Sequence, residues 1–81
     1  MEEEKIVNIA GYRFVDLNDR DELRQPFRFI CEKLNLKGTI LLSKNGINFF
    51  LAGNKKSIDS YIEFLESDKR FINIPLKISY T

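Results

Sequence analysis

The sequence predicts an α+β fold in which a four-stranded antiparallel sheet carries two helices on one face. Three observations lead to this prediction. Two apolar runs flank Asn45-Gly46, a strong short-range signal for a β-hairpin. An amphipathic helical pattern lies on each side of the hairpin, and strand-like segments begin and end the chain. The order β-α-β-β-α-β with two right-handed crossovers gives the ferredoxin-like plait. A chain of 81 residues is expected to form a single domain, 1–81.

The first predicted strand spans residues 5–15 and is rich in β-branched and aromatic residues. Its apolar alternation changes phase at Gly11: Ile9 belongs to one phase, whereas Tyr12 and Phe14 belong to the other. A glycine at such a change predicts a bulge or a close approach of another group to the backbone.

The first helix is predicted from Asp19, which has the spacing of an N-cap with Glu22 three residues later. Pro26 lies inside the pattern and removes a helical hydrogen bond. We therefore expect either a short turn at 19–24 followed by a helix at 25–35, or one kinked helix. One face of this segment is apolar and comprises Leu23, Phe27, Ile30, Cys31 and Leu34.

The hairpin is predicted with strands at 39–43 and 47–52 around a type I′ turn at 44–46. That turn type needs positive φ at both central residues, which Asn-Gly accepts.

A second amphipathic helix is predicted at 55–67, with Asn54 as its N-cap. A linker at 68–73 then leads to a last strand in which Leu76, Ile78 and Tyr80 alternate. The predicted core of the whole domain comprises Ile9, Phe14, Phe27, Ile30, Cys31, Leu34, Ile40, Leu42, Ile58, Ile62, Leu65 and Ile78.

Composition limits the chemistry of the chain. There is no histidine, so a histidine triad, base or metal ligand is excluded, and the lone Cys31 cannot build a zinc site. We expect no catalytic residue, metal or cofactor in this chain. No apolar run reaches the length of a membrane span, and one cysteine suits a reducing cytoplasm, so we expect a cytoplasmic domain without a membrane partner.

Charge is distributed unevenly, because no acidic residue lies between Lys33 and Ile58 although the net charge is only +1. Lys37, Lys44, Lys55 and Lys56 lie in this acid-free segment, which makes the hairpin and its flanks basic. A basic hairpin favours contact with the phosphates of a nucleic acid. The alternative is a solvated basic edge that protects an exposed strand. The candidate RNA-binding residues are Lys37, Lys44, Asn45, Asn48, Lys55 and Lys56.

Two further functions can be weighed on the same fold. An acylphosphatase would need a glycine-rich phosphate loop after the first strand and an asparagine on the second. Here that loop, 15–22, has four carboxylates and no glycine, and Leu42 falls near the asparagine position.

Base stacking on the open face of the sheet is the other possibility, with Tyr12, Phe49, Phe50 and Tyr80 as the strand aromatics. Because Phe49 and Phe50 are adjacent, only one of them can face the open side.

Several blocks of the sequence resemble one known family across nearly the whole chain. They are Val7-Asn8-Ile9-Ala10-Gly11-Tyr12-Arg13-Phe14-Val15, Leu36-Lys37-Gly38-Thr39-Ile40-Leu41-Leu42, Gly46-Ile47-Asn48 and Leu51-Ala52-Gly53. They are similar to the N-terminal domain of the rhodanese-domain-containing tRNA uridine hydroxylases. The chain departs from that family at Asn45, where the family has a glutamate, and at Phe49-Phe50, where it has small residues.

The resemblance implies that the parent enzyme is a cytoplasmic tRNA-modifying oxidoreductase that forms 5-hydroxyuridine at the wobble position. It also implies that a rhodanese-like domain with a cysteine loop lies outside this chain, and that Cys31 is not that cysteine. The domain is then expected to aid tRNA binding or to dock on the rhodanese-like domain. A purely structural or protein-interaction domain is the alternative.

Overall fold

The computed structural model describes residues 5–81 and has the predicted order of elements. The elements are β1 (Val7–Phe14), α1 (Arg20–Lys33), β2 (Lys37–Ser43), β3 (Gly46–Gly53), α2 (Lys55–Glu66), a 3-10 helix (Lys69–Phe71) and β4 (Leu76–Tyr80). The strands form one sheet in the order β2-β3-β1-β4, and every neighbouring pair is antiparallel. This is the predicted plait, with β2 and β4 at the two edges.

The core lies between the sheet and the helices. Alternate residues of β1 and β3 point toward the helices, so Ile9, Phe49 and Leu51 are almost fully buried. Of the predicted core, Ile9, Phe27, Ile58 and Leu65 are buried, and Ile30, Cys31, Leu34, Ile40, Leu42 and Ile62 are partly buried against them. The buried residues that the sequence did not identify are Val7, Leu17, Ile47, Phe49, Leu51, Tyr61, Phe71 and Ile74.

Two residues of the predicted core are exposed. Phe14 is 81% exposed, because the unbroken register of β1 puts it on the face of the sheet that lacks helices. Ile78 pairs with Ile9 and so lies on the helix side, but β4 is an edge strand and the side chain remains 55% exposed. The prediction of a buried position was wrong for both.

Gly11 marks a close approach and not a bulge. β1 pairs with β3 without interruption, so Gly11 lies directly opposite Phe49. A Cβ at Gly11 would meet Phe49 Cζ at 2.8 Å and Leu76 Cδ2 at 3.0 Å. The glycine therefore provides the space that the Phe49 ring fills.

α1 is one helix that contains Pro26, so of the two alternatives the single helix is confirmed over a separate turn followed by a helix. It ends in a Schellman motif: Leu36 N–H donates to the Cys31 carbonyl at 2.9 Å, and Asn35 has φ of 56°. Asp19 stands at the N-cap position, but its side chain makes no capping hydrogen bond.

The hairpin turn has another geometry than the predicted type I′. Ser43 pairs with Gly46, so Lys44 and Asn45 are the central residues, and neither has positive φ. Positive φ occurs at Gly46 instead, where a Cβ would collide with the Arg13 carbonyl oxygen.

Tertiary hydrogen bonds explain this turn. Val15 N–H donates to the Asn45 carbonyl at 3.0 Å, and Leu17 N–H donates to the Lys44 carbonyl at 2.9 Å. The segment after β1 thus holds the tip of the hairpin.

α2 agrees closely with its prediction. The Asn54 side chain accepts a hydrogen bond from Ser57 N–H at 2.8 Å, as an N-cap does. Tyr61 is fully buried, and its ring packs edge-on to Phe49 with centroids 5.4 Å apart.

Candidate nucleic-acid interface

The face of the sheet opposite the helices carries large apolar side chains in solvent. In an antiparallel pair, residues directly opposite share a face, so the register assigns Tyr12 and Phe14 of β1 to this side together with Phe50 and Leu41. All four are more than half exposed. We call these four residues the open-face patch. Phe49, the neighbour of Phe50, is buried, so the two rings lie on opposite faces of the sheet, as the alternation predicted.

The strand positions on this face include no carboxylate. Besides the open-face patch, the outward positions are Asn8, Ala10, Lys37, Thr39, Ser43, Gly46, Asn48, Ala52, Lys77 and Ser79. None of these is an aspartate or glutamate, whereas Lys37 and Lys77 are basic. The face therefore offers positive charge and exposed rings to a ligand, without a repelling carboxylate at any of these positions.

Two shallow depressions lie on this face. The first, about 300 Å³, is bordered by Tyr12, Phe14, Leu41, Asn45 and Asn48, next to the hairpin turn. The Tyr12 and Phe14 rings have centroids 5.4 Å apart and are tilted by 58°.

The second depression, about 420 Å³, lies beside Phe50 and Lys77. Tyr12 and Phe50 point to the same face from neighbouring strands, so the two depressions divide one continuous surface.

The structure divides the candidate RNA-binding residues into two groups. Asn45 and Asn48 border the first depression, and Lys44 lies beside Asn45 in the turn. Lys37 lies on the open face at the far end of β2, about 20 Å from the turn at ~3.3 Å per strand residue.

The other two candidates, Lys55 and Lys56, begin α2 near that far end. Lys55 Nζ binds Asp59 Oδ2 at 2.8 Å, and this hydrogen bond raises the pKa of Lys55. The lysines of the acid-free segment between Lys33 and Ile58 therefore do not form one cluster in space.

Sequence reasoning missed the pairing of Tyr12 with Phe14 on the open face, as well as Leu41 and Lys77. The signal was present in the phase change within β1. That phase change was interpreted as a bulge or a close approach at Gly11. The close approach is present, but the strand is regular, and the residues of the second phase form an exposed aromatic surface.

Cys31 lies in a groove of about 550 Å³ between α1 and the edge strand β2. Burial raises the pKa of its thiol, which lowers the thiolate fraction and hence the reactivity at neutral pH. A small, partly buried core residue is the role this environment supports.

The segment where an acylphosphatase would hold phosphate is occupied by a structural ion network. The Arg70 guanidinium binds Asp19 and Asp68 there, and Leu17 is fully buried. Within residues 5–81, no group of three potential metal-ligating side chains is found, and no helix is long and apolar enough to cross a membrane.

The comparison with known proteins agrees with this architecture. A family model described as the UPF0176 acylphosphatase like domain matches residues 6–81. The chain belongs to this family. The resemblance inferred from the sequence blocks is thereby confirmed, as is the acylphosphatase-like plait.

Relatives in the family carry a common name. The chain is 53% identical over 75 residues to a tRNA uridine(34) hydroxylase of Cupriavidus pinatubonensis. The matched segment covers 93% of this chain and 27% of that protein. The chain is 47% identical over 74 residues to proteins of the same name in Thiobacillus denitrificans and Bordetella avium, covering 91% of the chain and 30% and 31% of those proteins. The chain thus spans less than a third of the length of these curated relatives.

Proposed function

We propose that this chain is the non-catalytic, RNA-contacting domain of a tRNA uridine hydroxylase that forms 5-hydroxyuridine at the wobble position. The names of its relatives support the reaction, and the unreactive environment of Cys31 supports a non-catalytic role. In this proposal the chemistry resides in a rhodanese-like domain elsewhere in a cytoplasmic parent protein, and the chain itself needs no cofactor.

The observation that carries the RNA role is the acid-free open face. Lys37 and Lys77 project from it, and Lys44 lies in the adjoining turn. Phosphate contacts by lysines supply most of the sequence-independent affinity for nucleic acids, and each contact makes binding more sensitive to salt.

A chimeric enzyme tests the proposal. This chain replaces the matching 75-residue segment of the Cupriavidus pinatubonensis protein, and 5-hydroxyuridine is measured in tRNA nucleosides by mass spectrometry. The expected result is that the chimera modifies tRNA. The change Lys37→Glu with Lys77→Glu should weaken tRNA binding and reduce the slope of log K against log salt by about 1 for each lysine that binds a phosphate.

The matched control is Lys69→Glu, since Lys69 is exposed in the 3-10 helix and lies outside the sheet. Unchanged affinity and an unchanged salt slope in the double variant, alongside the control, would rule out the open face as the tRNA contact.

Docking on the rest of the parent protein is the second candidate function. The edge strand β4 favours it, because Ile78 and Tyr80 are 55% and 64% exposed on the helix side of the sheet. Ile78→Ser with Tyr80→Ser should then weaken binding of the isolated domain to the separately expressed remainder of the chimera, measured by calorimetry. Full affinity in that variant would exclude this edge as the docking surface.

A further inference from the structure

The open face holds more than the positive charge that phosphate binding requires. The first depression combines two exposed aromatic rings with two side-chain amides, in one place beside the hairpin turn. Exposed rings contribute nothing to the binding of a phosphate alone. The combination of rings and amides instead suits a ligand that has a planar aromatic group and hydrogen-bonding edges.

We propose that this depression is a nucleobase site that takes one unpaired base of an RNA strand. The inference rests on the proposed RNA-contacting function and specifies its ligand: a single-stranded segment and not a duplex. The base stacks on the Tyr12 or Phe14 ring, and the amides of Asn45 and Asn48 bind its edge.

The rings are suited to stacking. Phe14 is 81% exposed and Tyr12 is 61% exposed, and a tilt of 58° means that the two rings do not cover each other face to face. Every base has a π-face, so stacking on such rings tolerates any sequence.

The amides are available to a ligand. The hydrogen bonds that hold the turn use the Ser43 hydroxyl and backbone groups of Asn45 and Gly46, so the Asn45 side chain is not consumed by them. Asn48 is exposed on the open face between Leu41 and Tyr12. A side-chain amide both donates and accepts, which matches the mixed edges of nucleobases.

The surroundings favour an RNA strand over a protein segment. Phe50 and Lys77 border the second depression, so a neighbouring base has a ring and its phosphate has an ammonium group on the same surface. The absence of carboxylates from the outward strand positions suits a polyanion, whereas a protein partner with mixed charge gains nothing from it.

Single-stranded RNA is favoured over a duplex for a geometric reason. In an RNA helix the bases are stacked on one another, and the major groove is too narrow for side chains to read. Rings on the surface of a sheet can stack only on bases that are splayed out, as in a loop.

Fluorescence anisotropy with labelled RNA tests the inference on the 81-residue chain. The probes are a stem-loop with a seven-nucleotide uridine-containing loop, a blunt duplex of the same stem, and a full tRNA transcript. We expect the stem-loop to bind more tightly than the duplex. Phe14→Ala and Asn48→Ala should each weaken stem-loop binding, Phe14→Ala by about five- to a hundredfold, and both should leave duplex binding unchanged.

The control variant is Phe29→Ala, which removes a phenyl ring that is 65% exposed from α1 on the helix side of the domain. Asn48→Asp adds a second test at an exposed position, because it places a carboxylate on the acid-free face and should weaken binding further than Asn48→Ala. Circular dichroism verifies that each variant is folded.

The outcomes separate the two proposals. If the chain binds tRNA but the Phe14→Ala and Asn48→Ala variants bind the stem-loop as tightly as the unaltered chain does, the proposed base site is wrong and the RNA-contacting function stands. If neither the stem-loop nor the tRNA binds at low salt, the RNA-contacting function fails and the base site fails with it. If the Phe14→Ala and Asn48→Ala substitutions instead abolish binding of the domain to the remainder of the chimera, the open face is a protein interface and the inference is overturned.

Discussion

Arg70 binds Asp19 through two hydrogen bonds, Nη1 to Oδ1 at 2.8 Å and Nη2 to Oδ2 at 3.1 Å, although the residues are 51 positions apart. The same guanidinium binds Asp68 through Nε at 3.0 Å and Nη2 at 2.6 Å. One side chain thus joins the start of α1 to the 3-10 helix. This contact also explains why Asp19 does not cap α1: its carboxylate is committed to Arg70.

The network predicts a specific dependence of stability on acid. Hydrogen bonds from Arg70 lower the pKa of Asp19 and of Asp68 below the ordinary value of 3.8. The stabilisation is therefore fully present above the pKa of the unfolded chain and is lost as pH falls through the lower pKa of the folded state. We expect the free energy of unfolding, measured with urea, to fall from about pH 5 downward.

Arg70→Ala tests the cause of this dependence, because both aspartates then lose their main partner. The variant should be less stable at neutral pH and should lose less further stability on acidification. Lys69→Ala is the matched control, since it removes a neighbouring positive charge outside the network. An equally steep loss of stability in acid for Arg70→Ala would show that other groups cause it.

Gly11→Ala should destabilise the domain through overpacking. The new methyl group would lie 2.8 Å from Phe49 Cζ, and Phe49 is only 1% exposed, so the ring has little room to move. We expect a loss of about 1–3 kcal/mol in urea unfolding. In a Phe49→Leu background the cost of Gly11→Ala should be smaller, since the clashing ring is gone. Equal cost in both backgrounds would contradict the contact.

Tyr61→Phe should stabilise the domain or leave it unchanged. The Tyr61 hydroxyl is buried and has no hydrogen-bond partner among the described residues, and desolvation raises its pKa. Removing a buried hydroxyl without a partner should raise the unfolding free energy by up to about 1 kcal/mol. Tyr12→Phe is the control, because its ring is 61% exposed and the change should have no effect. A clear destabilisation by Tyr61→Phe would show that the hydroxyl does have a partner.

Much of the fold follows from local patterns in the sequence. The order of elements, the Asn54 cap and the opposite faces of Phe49 and Phe50 were predictable, because each depends on residues within a few positions of one another. The plait topology then followed from the order of elements and the right-handed crossover rule. The hairpin itself was predicted, but its turn type was not. Hydrogen bonds from Val15 and Leu17, distant in sequence, fix that turn.

The candidate site was predicted less completely. The sequence pointed to Asn45 and Asn48, which border the first depression, and to a run of lysines that the fold then separates. Phe14 was assigned to the core, although an aromatic residue in a strand can lie on either face of the sheet and the local pattern does not decide between them. Only the register against β3 assigns it to the open side.

The sequence alone determined the family, the order of strands and helices, and the absence of histidine chemistry, since these are properties of residue identity and spacing. The tertiary structure decided which residues meet. It joined Arg70 to Asp19, filled the space at Gly11 with Phe49, and brought Tyr12, Phe14 and Asn48 to one surface whose strand positions carry no carboxylate. Such contacts depend on pairing between strands and helices far apart in the chain, which no local pattern specifies.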